Sequence, residues 1–204
     1  MIGVIDYGLG NTHAFINTYR RMGVQAFIAR SVNDLRQASK VILPGVGSFD
    51  WAMRCLQQSG LREALEEEVL EVKKPILGVC VGMQMMAKFS EEGTLAGLGW
   101  IDAKVVKFDV ALIQARTHLP HMGWNDVKPT VEGTLFRGLE NPQYYFLHSY
   151  HMEPQGRDYT LATSNYGCEF VSAVCRDNVF GTQFHPEKSH EWGEKLLKNF
   201  AELS

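Results

Sequence analysis

Three segments in the first half of the chain are apolar throughout rather than at alternate positions: Ile2–Ile5, Val41-Ile42-Leu43 and Pro75-Ile76-Leu77-Gly78-Val79. Such strands are covered on both faces, which is the mark of a parallel sheet with helices on each side. The segments between them read as helices. Phe15, Tyr19 and Met22 fall on one face, with Asn11 placed as an N-cap and Gly23 as a stop. Val24–Ala29 reads as a second strand, and Pro44-Gly45 is expected to end the third. Helices are expected over about 49–59 and 61–72, the latter carrying Leu61, Leu65, Val69 and Val72 at helical spacing. A further helix is expected from about Met83 to Phe89.

Beyond residue 100 the chain is strand-rich. Residues 100–108, 144–147, 159–164, 171–176 and 179–184 read as strands, with Asp177-Asn178 as a hairpin turn and a closing helix at about 191–203. At 204 residues the chain is close to the ~150 of one domain, and the expectation is a single α/β domain over residues 1–204. A formal net charge of −3 gives no electrostatic footprint for nucleic acid. No apolar run approaches the ~18 residues of a membrane span. The apolar N-terminus is too short for a signal peptide. Cys55, Cys80, Cys168 and Cys175 are irregularly spaced, as expected of reduced thiols in the cytoplasm.

Two glycine-rich turns fail as nucleotide sites. Gly8-Leu9-Gly10-Asn11-Thr12-His13 has His13 where a dinucleotide loop needs its third glycine, and no acid follows near 20 residues on. Gly45-Val46-Gly47-Ser48 lacks a phosphate-loop lysine; its backbone N–H groups remain available to an oxyanion.

Gly78-Val79-Cys80-Val81-Gly82 is the sharpest local signal. A nucleophile between two small residues, after an apolar strand and before a helix, has the form of a nucleophile elbow with cysteine in place of serine. The helix start favours thiolate, and the Val81 N–H would face a developing oxyanion. A buried core cysteine with glycines for packing is the plain alternative. Gln183-Phe184-His185-Pro186-Glu187 supplies what the cysteine lacks. In extended chain, residues i and i+2 project the same way, roughly 6.6 Å apart. Glu187 can therefore hold one nitrogen of His185 while the other takes the thiol proton. A zinc set of His185, Glu187 and His190 is set aside, because its spacing fits no common site; no metal and no cofactor are expected.

With these residues in view, the chain resembles the triad (class I) glutamine amidotransferases, and within them the glutaminase subunits of imidazole glycerol phosphate synthase. The likeness is carried by residues 6–11, 43–49, 78–84, 120–125, 145–150 and 183–189. It implies a three-layer, flavodoxin-like α/β fold with a central, mostly parallel mixed sheet. It implies Cys80 as nucleophile, His185 as general base and Glu187 as its orienting partner. By the same resemblance, Val81 with Gly45, Val46 and Gly47 would form the oxyanion hole. Gln84, Glu92, Ser149 and Tyr150 would bind L-glutamine. Lys188, His121, Trp124, Asn125, Tyr145 and His148 would stand at the ammonia gate or interface. For Trp124 and Tyr145 core packing is the alternative, and for His121 and His148 an ordinary hydrogen-bonded histidine.

The implied partner is a (β/α)8-barrel synthase/cyclase subunit, in a cytoplasmic heterodimer that takes ammonia into a ribonucleotide of histidine biosynthesis. Residues 97–102, Val81 and residues 189–193 look more like a paralogous branch that supplies ammonia to a synthase amidating a surface-polysaccharide sugar. That branch is the alternative acceptor, and a free-standing cysteine hydrolase is a further reading.

Overall fold

The computed structural model of the chain describes residues 1–114, 118–131 and 133–203. Its N-terminal half alternates strand and helix: β1 Ile2–Ile5, α1 Thr12–Arg21, β2 Ala26–Ala29, α2 Val32–Gln37, β3 Lys40–Gly45, α3 Phe49–Gln58, α4 Arg62–Glu66, β4 Ile76–Cys80 and α5 Val81–Gln84. The remainder comprises β5 Phe89–Ser90, β6 Ala103–Lys107, β7 His121–Asp126, β8 Lys128–Pro129, β9 Gln143–His148, β10 Tyr150–Pro154, β11 Thr160–Tyr166, β12 Cys168–Arg176, β13 Val179–Thr182 and α6 His190–Ala201. One sheet runs in the order β2-β1-β3-β4-β13-β12-β10-β6-β5, while β7 and β9 pair apart from it. The pairs from β2 through to β13 are parallel, and those of β12 with β13 and β10 and of β10 with β6 are antiparallel. This is the mostly parallel mixed α/β sheet expected, and β1 and β4 are buried at every residue, as their unbroken apolar runs require.

Several boundaries depart from expectation, each for a local reason. Pro44 does not end β3, which continues through Gly45. Its pairing with β1 stops at Ile42, so the missing proline N–H breaks no ladder there. The helix after Cys80 spans Val81–Gln84 rather than 83–89, and Phe89 lies in β5. The carbonyls of Met85, Met86 and Ala87, which further turns would use, accept the N–H groups of Leu98, Ile101 and Gly99. The expected 61–72 helix is α4 followed by a π-helical turn at Glu67–Glu71. There Glu68 turns inward to a buried ion pair with Lys74 at 2.6 Å. Helix α2 was not anticipated. Its Ser31 side chain caps the Asp34 N–H while Asp34 returns the bond, a capping box that binds its six residues into a helix.

The adjacent strands β3, β4 and β13 all deliver their C-terminal ends to one edge of the sheet. Gly45 is paired with Cys80, and Thr182 with Val79. In open α/β sheets this is the edge where ligands bind.

Candidate active site

Cys80 ends β4 and starts α5 with φ 55° and ψ −113°, a region that non-glycine residues enter at a cost of about 1–3 kcal/mol. What holds it there is backbone packing on both sides. A Cβ on Gly82 would lie 2.0 Å from the Leu43 carbonyl oxygen, and one on Gly45 only 2.2 Å from the Gly82 nitrogen. A Cβ on Gly78 would meet the Gly82 carbonyl at 2.7 Å. The two small residues flanking the cysteine are thus demanded by contact, as the elbow reading expected. The α-helix that follows is four residues long, so the macrodipole invoked for the thiolate is weak here.

His185 follows β13 and is 5% exposed. Its main chain is fixed by its N–H donating to the Tyr145 carbonyl (2.9 Å) and its carbonyl accepting from Ser189 Oγ (2.6 Å). Its Nδ1 lies 2.8 Å from Glu187 Oε1. Burial alone would depress the imidazole; hydrogen bonds and charge from Cys80 and Glu187 reverse this and raise it to about 10. The other oxygen of Glu187 is buried without a hydrogen-bond partner among the described residues. His190, the third member of the zinc set rejected on spacing, stacks its ring on Trp124.

A cavity of about 260 Å3 opens above the thiol, lined by Val46, Gly47, Cys80, Val81, Gln84, Glu92, Leu147, His148, Ser149, Tyr150, His185 and Lys188 among others. Its size suits a small metabolite rather than a polymer. All four residues expected to bind glutamine line it, and all four also make hydrogen bonds within the chain. Gln84 Nε2 donates to the Tyr150 carbonyl and to Gln183 Oε1, both at 3.0 Å. Glu92 Oε2 accepts the Phe49 N–H at 2.8 Å, capping α3, whose Ser48 supplies no side-chain cap. The Ser149 carbonyl accepts the Phe108 N–H. In the glycine loop, Gly45 is buried beneath the elbow, Val46 is 49% exposed, and Gly47 has φ +88°.

The residues assigned to a gate divide into two groups. Trp124 is 47% exposed, so core packing is excluded for it. Tyr145 is half-buried, with the Lys188 ammonium 5.9 Å from its ring centroid. His121 and His148 are buried and hydrogen-bonded to each other, with His121 stacked between Phe146 and Tyr166 and His148 reaching the cavity wall. The Asn125 side chain is committed inward as well, to His121 and to the Asn165 carbonyl. Burial lowers His121 to about 4 and His148 well below the usual histidine range, with mutual repulsion adding to the latter. Sequence reading passed over Gln183, which is fully buried and donates from Nε2 to Cys80 Sγ at 3.8 Å. Its signal was its place in the same extended segment, two residues before His185.

A buried cysteine at a strained strand-to-helix turn, a carboxylate-held imidazole and a small cavity between them define a cysteine-dependent amide hydrolase site. The family description glutamine amidotransferase class-I matches residues 3–203, and the chain belongs to that family. Among its relatives, a Bdellovibrio bacteriovorus protein named imidazole glycerol phosphate synthase subunit HisH is 53% identical over 204 residues, with all of both chains covered. A Pseudomonas aeruginosa protein named imidazole glycerol phosphate synthase subunit HisH 2 is 50% identical, also over the whole of both chains. A solved structure described as a glutamine amidotransferase superposes with a TM-score of 0.74 at 20% identity, covering 99% of each chain, and supports the fold.

Proposed function

We propose that the chain is the glutaminase subunit of imidazole glycerol phosphate synthase, hydrolysing L-glutamine to glutamate and ammonia. The observation that carries this is the placement of Cys80 and a Glu187-bound His185 on one small cavity. Cys80 thiolate attacks the side-chain amide carbon, and the charge formed on oxygen is met by N–H groups of Val81 and of the loop Gly45-Val46-Gly47. The tetrahedral adduct collapses, breaking the C–N bond as the His185 imidazolium gives its proton to the departing nitrogen. A glutamyl thioester remains. Water, deprotonated by His185, attacks it and releases glutamate and the thiolate. Gln84, Glu92, Ser149 and Tyr150 hold the amino-acid end of the substrate.

Ammonia is useful to a second active site only if it is kept from solvent. The reading therefore includes a (β/α)8-barrel synthase/cyclase partner docked over the cavity mouth, where Lys188, Trp124 and Tyr145 stand. It includes a single catalytic domain over residues 1–204 and a cytoplasmic complex. No helix among the described residues is long and apolar enough to cross a membrane. The names of the two relatives favour the histidine-pathway acceptor, and neither of them points to a polysaccharide sugar.

The test is synthesis by the reconstituted complex with Cys80→Ala. Glutamine-dependent synthesis should be abolished and ammonia-dependent synthesis retained; equal loss of both would make the cysteine structural.

A further inference from the structure

Gln183 has no part in the chemistry as set out so far, yet its amide meets the reacting sulfur. Its polarity is fixed by its neighbours. The Tyr150 carbonyl can only accept, so the Gln84 group 3.0 Å from it must be Nε2. The second N–H of Gln84 then goes to Gln183, whose nearer atom must be Oε1, also at 3.0 Å. The remaining end of Gln183, Nε2, is left pointing at Cys80 Sγ. A rotation of this amide by half a turn would break bonds at both ends.

The Tyr150 carbonyl is itself held by a chain of neutral groups. His148 Nδ1 lies 2.8 Å from it and must carry the proton, so His148 Nε2 accepts from His121 Nδ1 at 3.0 Å. His121 Nε2 then accepts from Asn125 Nδ2 at 3.2 Å. The histidine chain ends on the Tyr150 carbonyl, which accepts from His148 and from Gln84 alike and is held in place by both; the Gln84–Gln183 pair alone carries the direction of donation on to the sulfur.

We propose that Gln183 is a catalytic residue that donates its Nε2–H to the Cys80 thiolate, holding the sulfur ionised and oriented for attack. The assignment rests on the glutaminase reading for its consequence but not for its measurement, since the thiol can be interrogated directly. A thiol has a second option, donating to the Leu147 carbonyl at 3.8 Å. A thiolate cannot use that acceptor, so ionisation leaves His185 and Gln183 as its donors. The other titratable or charged groups around the sulfur are Glu187 behind His185, Tyr7 beneath the Gly45 strand, and Glu92, His148 and Lys188 on the cavity wall. None of these offers the sulfur a neutral donor of fixed direction.

The experiment follows Cys80 in the full chain by its rate of alkylation with iodoacetamide across pH, for the native protein, Gln183→Met and Gln183→Glu. Loss of a hydrogen bond to a charged group should move the midpoint of the alkylation profile up by about one pH unit and slow alkylation about tenfold at pH values below the native midpoint. Gln183→Glu should be slower still. Glutamine turnover should fall in kcat with KM nearly unchanged. In parallel, nuclear magnetic resonance of the native chain with nitrogen-15 glutamine side chains reads the Gln183 amide itself. Its resonance should shift with the Cys80 ionisation and again on alkylation. A native alkylation profile in folded Gln183→Met, or a Gln183 resonance indifferent to the state of Cys80, would overturn the proposal. Where the variants do not fold, the resonance measurement decides. Failure of glutamine turnover in the native complex, with these thiol signatures intact, would count against the glutaminase reading instead.

Discussion

His185 Nδ1 and Glu187 Oε1 stand 2.8 Å apart with both side chains almost wholly buried. One residue separates them in the chain, and it is a proline, whose fixed φ lets a short 3-10 turn present both groups to the same side. Carboxylate and thiol together keep the imidazole protonated to about pH 10. An imidazolium able to serve as the proposed general acid is therefore present through the neutral range.

Glu187→Gln should remove one of the two groups that raise His185. The basic limb of the kcat profile is expected to move to lower pH, with kcat reduced about a hundredfold or more. The same pair has a stability signature. A base raised from 6.5 to about 10 on folding contributes fully below pH 6.5 and loses that contribution as pH climbs through 10. Urea unfolding should show the native chain ahead of Glu187→Gln at pH 6.5, with the gap closing by pH 10. A gap independent of pH would contradict it.

Histidines 121 and 148 act in the opposite sense. Held neutral by burial, they take up protons only when the chain unfolds, so stability should fall as pH drops from 6.5 towards 4. For His121 alone, lowered to about 4, the loss is about 3 kcal/mol. Denaturant midpoints at pH 7, 5 and 4 measure it, and His121→Gln should flatten the slope.

The nucleophile's backbone makes a prediction that chemistry alone would not. Because Cys80 sits at φ 55°, glycine should relieve strain that alanine keeps. Cys80→Gly is expected to be more stable than Cys80→Ala by about 1 kcal/mol, although both are inactive. Thermal melts of the two variants suffice, and equal midpoints would show the turn to be unstrained.

Asp50 has an indirect part. Its carboxylate accepts N–H groups from Thr94 and Leu95, anchoring to α3 the loop that carries Glu92. Asp50→Ala should therefore raise KM for glutamine about tenfold while changing kcat little. A kcat loss at constant KM would place its effect on the thiol rather than on substrate binding.

Much of this was legible in the chain. The unbroken apolar runs of β1 and β4 gave the buried parallel sheet. The small residues around Cys80 were legible because contact demands them, and the His185–Glu187 pair was legible from its spacing, although a 3-10 turn at Pro186–Lys188 makes it and not the extended chain expected. What escaped depends on contacts distant in sequence. The short α5 ends because residues 98–101 take its carbonyls, which no local pattern reveals. Trp124, Asn125 and His121 share one strand, yet only pairing with β9 decides that the tryptophan faces out while the histidine reaches His148. Gln183 looked like one more polar residue before the motif. Its role appears only once Gln84, 99 positions away, is beside it. Helix α2 is a different case, since the Ser31-to-Asp34 capping box was visible in the letters and passed over.

Gly45 and Gly82 meet main chain to main chain with no room for even a methyl group between them. The loop that would cradle the oxyanion is thus riveted to the nucleophile's own turn at its first residue, and it cannot slide as a unit. Any adjustment on docking must begin at Val46 and Gly47, by rotation of individual peptide planes. Such a hinge can alter which dipole faces the cavity while leaving the sulfur where it is.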